Sequence, residues 1–410
     1  MWLFTSCTKD IQEIQTSPPD QLENIEHNEI QTVVPSETII EMSTEDVSVD
    51  VDISKDSSEG KIAIVSGWPD GDMSFETVSQ IVSKYGKDKI LHTSWPHYSM
   101  IDNEVMIDTI ISLRSDPDIK AVIVNPAIRG TNNALKKLKE TGRPIFSIYC
   151  GLSDDDITET AGLADLILTT NELNIDTLMI KQAKKLGAKT FIHYSFPRHM
   201  SQTLLSQRRE SIKQECDKLG VKFVDAIAPD PINDIGLNSA QQFIVGDVPK
   251  MVAEHGEDTA FFATDCALQI PLINAVVDAH ALYPSPCHPS PFHGFPTALG
   301  LDCGEENTQI SDAEKIMVDI WEVFASKNML GRVSTWPVDP DMMLVEVSTE
   351  YAIKRLNGEV PQEGIDIEVL TQLMTDYAGV PVYLTPYTDP ETGITYDNYL
   401  MMRMGYITFE

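Results

Sequence analysis

The sequence predicts an α/β fold of two Rossmann-like lobes with parallel sheets, and three observations carry that expectation. The stretch Lys120 to Gly151, KAVIVNPAIRGTNNALKKLKETGRPIFSIYCG, is a complete βαβ unit. Strand and helix signals alternate in the same way on either side of it. The 410 residues, 42% of them hydrophobic, can furnish two medium cores and exceed the needs of one ordinary domain. Within the central unit, Ala121–Val124 is a short, continuous apolar run, as a strand covered by helices on both faces requires. Thr131 stands where a helix N-cap is expected, and Ala134, Leu135 and Leu138 form the apolar stripe. Gly142 and Pro144 end that helix, and Ile145 to Tyr149 repeat the strand signal.

The flanking elements follow the same logic. Lys61 to Gly67 is the first buried strand, and Ser74 is expected to cap a helix whose Phe75, Val78, Ile81 and Val82 face inward. The loop between them is Trp68-Pro69-Asp70-Gly71-Asp72. Strand Ile90–Ser94, loop Trp95-Pro96-His97-Tyr98 and a helix from about Asp102 to Leu113 repeat the layout. After a fifth strand, Asp165–Thr169, the chain is expected to cross near Asn171 into a second lobe. There, helix Ile175–Leu186, strand Lys189–Tyr194, helix Gln202–Leu219 and strand Val221–Ala226 resume the alternation. In open α/β sheets ligands bind outside the carboxyl ends of the strands, so the loops that follow the strands are the candidate site.

The order of strand, Asn-Pro, helix, Gly-x-Pro and strand in the central unit resembles the type I periplasmic binding proteins of the ribose-binding kind. The chain looks closest to an uncharacterised branch of solute-binding lipoproteins in that superfamily. Thr259 to Ala275, TAFFATDCALQIPLINA, resembles a second family motif, in which a strand-end Asp accepts hydrogen bonds from ligand hydroxyls; Asp265 takes that position, with Thr264 where Asn is usual. Trp336-Pro337 stands where ribose-type proteins carry Gln-x-Pro, and Asp341–Leu356 and Val380–Leu384 resemble the late helix and closing strand. The resemblance implies a hinge crossed three times, near Asn171, Gly304 and Pro361. The lobes would then be 61–171 plus about 304–360, and 172–303 plus about 361–410. No role is assigned to the stretch from Thr385 to Glu410.

The resemblance also implies a cleft between the lobes. Trp68, Trp95, Tyr98, Tyr194 and Trp336 would offer aromatic faces, which suit a pyranose, a nucleobase or another ring. Asp70 and Tyr149 lie at neighbouring strand ends. Asn125 and Asp265 would bind hydroxyls or an amine, and Arg129 and Arg198 a carboxylate or carbonyl. The expected ligand is a small polar molecule bearing one ring, a sugar or nucleoside first and an aromatic acid second. No phosphate-cradling Gly loop or nucleophile elbow occurs, so binding is expected rather than catalysis, with no cofactor. Tyr283 to Asp302, YPSPCHPSPFHGFPTALGLD, departs most from the family pattern. Cys287, His288, His293 and Cys303 are metal-capable residue types there, but their spacing fits no finger or ribbon, and no metal is assigned.

Composition narrows the partners. A formal charge of −33 argues against nucleic acid, whose phosphates need clustered Lys and Arg. No basic helix-turn-helix precedes the first strand, so a DNA-binding regulator is not expected. No run of eighteen apolar residues spans a membrane. The six cysteines at 7, 150, 216, 266, 287 and 303 lack the dense spacing of a disulfide scaffold. Thr5 and Ser6 before Cys7 resemble the end of a bacterial lipoprotein signal, which makes 1–7 a truncated signal remnant and Cys7 the lipidated residue. Residues 8–60 carry fourteen Asp or Glu against Lys9 and Lys55, with no Trp, Tyr or Phe, and read as a disordered acidic tether. The expected setting is extracytoplasmic, at the cell membrane through the lipid alone, with an ABC importer permease as the expected partner; the alternative is a ligand-sensing receptor or regulator effector domain of the same fold.

Overall fold

The continuous apolar runs become strands covered on both faces. In this computed structural model the described residues are 60–67, 73–95, 103–151, 157–232, 236–301 and 313–410. The first lobe begins β1 (Lys61–Ser66), α1 (Met73–Tyr85), β2 (Ile90–Ser94), α2 (Asn103–Ser112), β3 (Ile119–Asn125), α3 (Thr131–Lys139), β4 (Phe146–Cys150), α4 (Ile157–Leu163) and β5 (Leu166–Thr170). In β3 and β4 every residue but Lys120 is buried. Along β1, Ile62 and Ile64 enter one core cluster while Ala63 and Val65 enter another. That division is the period-two alternation of a strand with helices on both sides.

Two local details differ from the sequence expectation. The N-cap of α3 is Gly130, whose φ of 96° suits glycine, and Thr131 is already helical. Ser74 lies inside α1, where its hydroxyl accepts from the Gly67 amide (3.0 Å) and donates to the Asn125 carbonyl (3.2 Å), tying the ends of β1 and β3 together.

The second lobe follows with α5 (Glu172–Lys185), β6 (Thr190–Ser195), α6 (Pro197–Met200), α7 (Thr203–Leu219), β7 (Lys222–Ile227), α8 (Gly236–His255), β8 (Thr259–Ala263), α9 (Gln269–Asp278), α10 (Phe295–Ala298), α11 (Ala313–Ser326) and β9 (Ser334–Thr335). The chain then returns to the first lobe through α12 (Pro340–Leu356), α13 (Ile367–Ala378), β10 (Val382–Thr388) and β11 (Thr395–Met404), and β12 (Ile407–Thr408) closes on the second. The first sheet has the order β10-β11-β5-β4-β3-β1-β2, parallel except for the β10–β11 hairpin at its edge. The second is a parallel β7-β6-β8 sheet. Parallel bridges from Ala260 to Leu282 and from Tyr283 to Val333 carry it on to the antiparallel pair β9 and β12. Two parallel-sheet lobes on one returning chain make this the type I periplasmic-binding-protein architecture.

The lobe boundaries require a correction. The chain leaves the first lobe at Asn171, whose amide donates to the Met402 carbonyl (2.8 Å) and whose side chain caps α5. It returns between Thr335 and Asp339 and crosses again at Gly405, not near Gly304 and Pro361. Gly304 lies outside the described residues, but beyond it Ile316, Ile320 and Phe324 of α11 still pack with Ile192 and Phe261 of the second lobe. Beyond Pro361, Leu370, Met374 and Val382 pack with Ile62 of the first. The physical reason is that apolar periodicity reports how deeply an element is buried, not which sheet it joins. The C-terminal stretch now has a place: β11 pairs with β5, and Phe409 is buried in the second core. The segments 1–7 and 8–59 lie outside the described residues.

Candidate functional site

The strand ends of the second lobe gather a compact polar group. Pro197 starts the one-turn helix α6 directly after β6, which brings Arg198 and His199 to the carboxyl end of that strand. Asp230 follows β7 in the run Ala228-Pro229-Asp230-Pro231. Thr264 and Asp265 follow β8, where Asp265 caps the next turn by accepting from the Ala267 amide at 2.9 Å. Three parallel strands thus deliver their following residues to one place.

Arg198 is held by two charge-assisted bonds to Asp230, from Nε to Oδ2 (2.7 Å) and from Nη2 to Oδ1 (3.0 Å), and its guanidinium lies 5.0 Å from the centre of the Phe196 ring. The Arg198 guanidinium in turn holds the Asp230 carboxyl below its usual range. His199 pairs through Nδ1 with Thr264 Oγ1 at 2.9 Å, and burial pushes its imidazole pKa down. Asp265 Oδ2 lies 3.5 Å from His199 Nε2 and 4.0 Å from Arg198 Nη2. Both separations exceed a normal hydrogen bond. This half-buried carboxylate oxygen therefore stands between a cation and an imidazole with acceptor capacity left over, the chemistry that receives a hydroxyl or ammonium group.

Arg198 and Asp265 are the members of this group that the sequence reading singled out; His199, Thr264 and Asp230 were missed as site residues. An Asp flanked by two prolines at a strand end was the available signal for Asp230.

The aromatic expectations fare differently, and four are corrected. Trp95 is buried, with its indole Nε1 donating to the Pro126 carbonyl at 2.9 Å. Tyr149 is buried and donates to the Thr131 carbonyl at 3.1 Å. Tyr194 stacks on Phe261 and donates to Asp247 Oδ2 at 3.0 Å. Trp336 is fully enclosed in the first core. A large ring beside a strand end removes more water by turning inward than by facing solvent, so none of these four presents a stacking face. Asn125 is also buried: its Nδ2 donates to the Asp341 carbonyl at 2.9 Å, which ties β3 to the start of α12. Arg129 is exposed. Trp68, Asp70 and Tyr98 lie outside the described residues, as do Cys7 and Cys303.

Beside Asp265 lies a second constellation. Cys266, Cys287, His288 and His293 place one ligand atom each within 4.8 Å of all the others. Cys266 Sγ lies 3.6 Å from Cys287 Sγ and 3.4 Å from His288 Nδ1, and Cys287 Sγ lies 3.4 Å from His288 Nδ1 and 3.3 Å from His293 Nε2. These residues could hold a metal. The sequence reading grouped Cys303 with this loop and assigned no metal; the fold brings in Cys266. Two concave surface patches, around Trp321 and Phe409 and around Gln241 and Ile270, share no lining residue with either group.

Comparison with known proteins places the chain. A Treponema pallidum (strain Nichols) uncharacterized protein is 30% identical over 168 residues, 41% of this chain and 77% of that protein. Another from the same organism is 28% identical over 142 residues, 35% of this chain and 64% of that one. The crystal structure of a candidate transcriptional regulator from Clostridium difficile 630 superposes with a TM-score of 0.77 at 22% identity, covering 86% of this chain and 99% of the other, and so shares the fold. An ABC transporter periplasmic solute binding protein from Actinobacillus succinogenes 130z, solved with D-allose, has a TM-score of 0.44 at 15% identity, over 75% of this chain and 96% of the other. Among the described residues no helix is long and apolar enough to cross a membrane. Residues 61–334 match the family described as "Protein of unknown function (DUF3798)", and with two thirds of its length inside that match, the chain belongs to this family.

Proposed function

We propose that this protein is an extracytoplasmic solute-binding protein that captures a small polar, ring-bearing ligand, a sugar or nucleoside first, between its two lobes. The observation that carries the reading is Asp265: a strand-end carboxylate with an acceptor oxygen left over, flanked by Arg198 and His199. Trp68 and Tyr98 are the proposed ring-stacking residues; the other candidate aromatics are in the cores. The two lobes on a returning chain support hinge closure around the ligand. Cys7 is the proposed lipid attachment site, 8–60 the tether, and an ABC importer the recipient of the ligand.

A thermal-shift screen of monosaccharides, nucleosides and aromatic acids tests the binding. A hit at a hundred times its Kd should add about 2.7 kcal/mol to stability. Asp265→Ala should then weaken hydroxyl-rich hits by about tenfold or more, the loss expected of a charge-assisted bond. A confirmed ligand that binds Asp265→Ala and Arg198→Ala as tightly as the parent would remove the site from this position.

Anchoring has its own measurement. Expressed behind a complete lipoprotein signal, the chain should partition into detergent, and Cys7→Ser should move it to the aqueous phase; equal partitioning of both forms ends the anchor reading. A second reading is a sensor whose ligand biases a regulatory partner. It is favoured by the name of the Clostridium difficile structure, and it is separated from transport by whether a membrane permease or a regulator co-purifies with the ligand-bound form.

A further inference from the structure

We propose that Cys266, Cys287, His288 and His293 form a tetrahedral zinc site that fixes the turn after β8 to the proline-rich loop. The topology creates it. Because Ala260 bridges in parallel to Leu282, the residues after β8 and those after Tyr283 leave the sheet side by side. Cys266 on the first segment meets Cys287, His288 and His293 on the second.

The distances match the coordination geometry. With Zn–S near 2.3 Å and Zn–N near 2.0–2.1 Å, tetrahedral ligand atoms stand about 3.3–3.8 Å apart. Four of the six separations run from 3.3 to 3.6 Å, and all six lie within 4.8 Å. The two imidazole rings are nearly perpendicular, at 82°, with centres 5.4 Å apart, so they approach a common point from different directions rather than stacking. A disulfide does not account for the cluster: its sulfurs would be about 2.05 Å apart and would leave both imidazoles without a role. Two thiolates and two neutral imidazoles select zinc among common divalent ions, and they cancel its charge.

A supporting shell is already in place. Gln269, fully buried, accepts from Tyr283 Oη (2.5 Å) and from the Cys287 amide (3.4 Å) through Oε1. Its Nε2 donates to the carbonyls of Ala263 (3.0 Å) and Asp265 (2.9 Å). One side chain thus links both ligand-bearing segments, as supporting groups do around metal sites. Four protein ligands leave no open coordination position, which makes the ion structural. Its task is to hold the Pro284–Pro291 stretch, whose prolines forbid a regular element, against the end of β8.

The test uses the full chain without a histidine tag, dialysed against zinc and then against zinc-free buffer. Elemental analysis should find one zinc per chain, and Cys287→Ser and His293→Ala should each lose it. Replacement of zinc by cobalt(II) in the unaltered chain should give the intense visible bands and sulfur-to-cobalt charge transfer of a tetrahedral two-thiolate site, a readout independent of how the variants fold. Iodoacetamide should modify Cys266 only after a chelator has removed the ion. A zinc-free chain with freely reactive thiols, a Cys266–Cys287 disulfide in peptide mass spectra, or zinc retained in both variants would overturn the assignment.

Discussion

Asp176→Ala should destabilise the second lobe by about 3–5 kcal/mol, because it strands a buried guanidinium. Asp176 is fully buried on α5 and receives both Nε (3.0 Å) and Nη2 (3.1 Å) of Arg208 from α7. Burial pushes the Asp176 carboxyl up, against the pull of the Arg208 guanidinium, and the guanidinium keeps its charge. Among the described residues, only the more distant Glu172, at 3.5 Å from Nη1, would remain as an ion-pair partner of Arg208 after the substitution. Replacing the pair together, Asp176→Leu with Arg208→Met, should recover most of the loss, since desolvating two charges offsets much of what their attraction contributes. Urea unfolding followed by probes in each lobe separates the outcomes. A single-variant loss below about 1 kcal/mol would mean that water reaches the pair and that it behaves as a surface ion pair.

Trp336→Ala should cost a similar amount, about 3–5 kcal/mol, and should act on the first lobe. The indole lies where the chain returns from β9 to α12, inside the cluster that contains Met343 and Met404, with the Tyr406 ring centre 6.3 Å away. Removing it opens a cavity that the surrounding parallel strands cannot collapse to fill. Trp336→Phe should cost much less: it retains most of the packing and deletes a buried Nε1–H that has no hydrogen-bond partner among the described residues. The same pair of variants distinguishes core from cleft. A ligand-facing Trp336 would lose ligand affinity and little stability on substitution; the enclosed one should lose stability first.

Runs such as Ala121–Val124 announce strands buried on both faces, because that burial favours apolar residues at successive positions rather than at alternate ones. Glycines and prolines at 142, 144 and 220 end helices for backbone reasons that act locally. For the same reason the strand ends were legible, and Arg198 and Asp265 do follow β6 and β8. Those properties depend on residues within a few positions of each other, and the sequence by itself determined them.

What only the tertiary structure decided depends on separations of tens to hundreds of residues. Trp95, Tyr149, Tyr194 and Trp336 have the same local pattern whether a ring points to a cleft or to a core; the partner that settles it, such as the Pro126 carbonyl for Trp95, comes from another element. The lobe assignment of α11, α13 and the β10–β11 hairpin rests on which sheet they pack against or pair with. Cys266 belongs with Cys287, His288 and His293 because two parallel segments, bridged at Ala260 and Leu282, end side by side. No spacing rule along the chain expresses that neighbourhood, since it is made by strand register across a sheet.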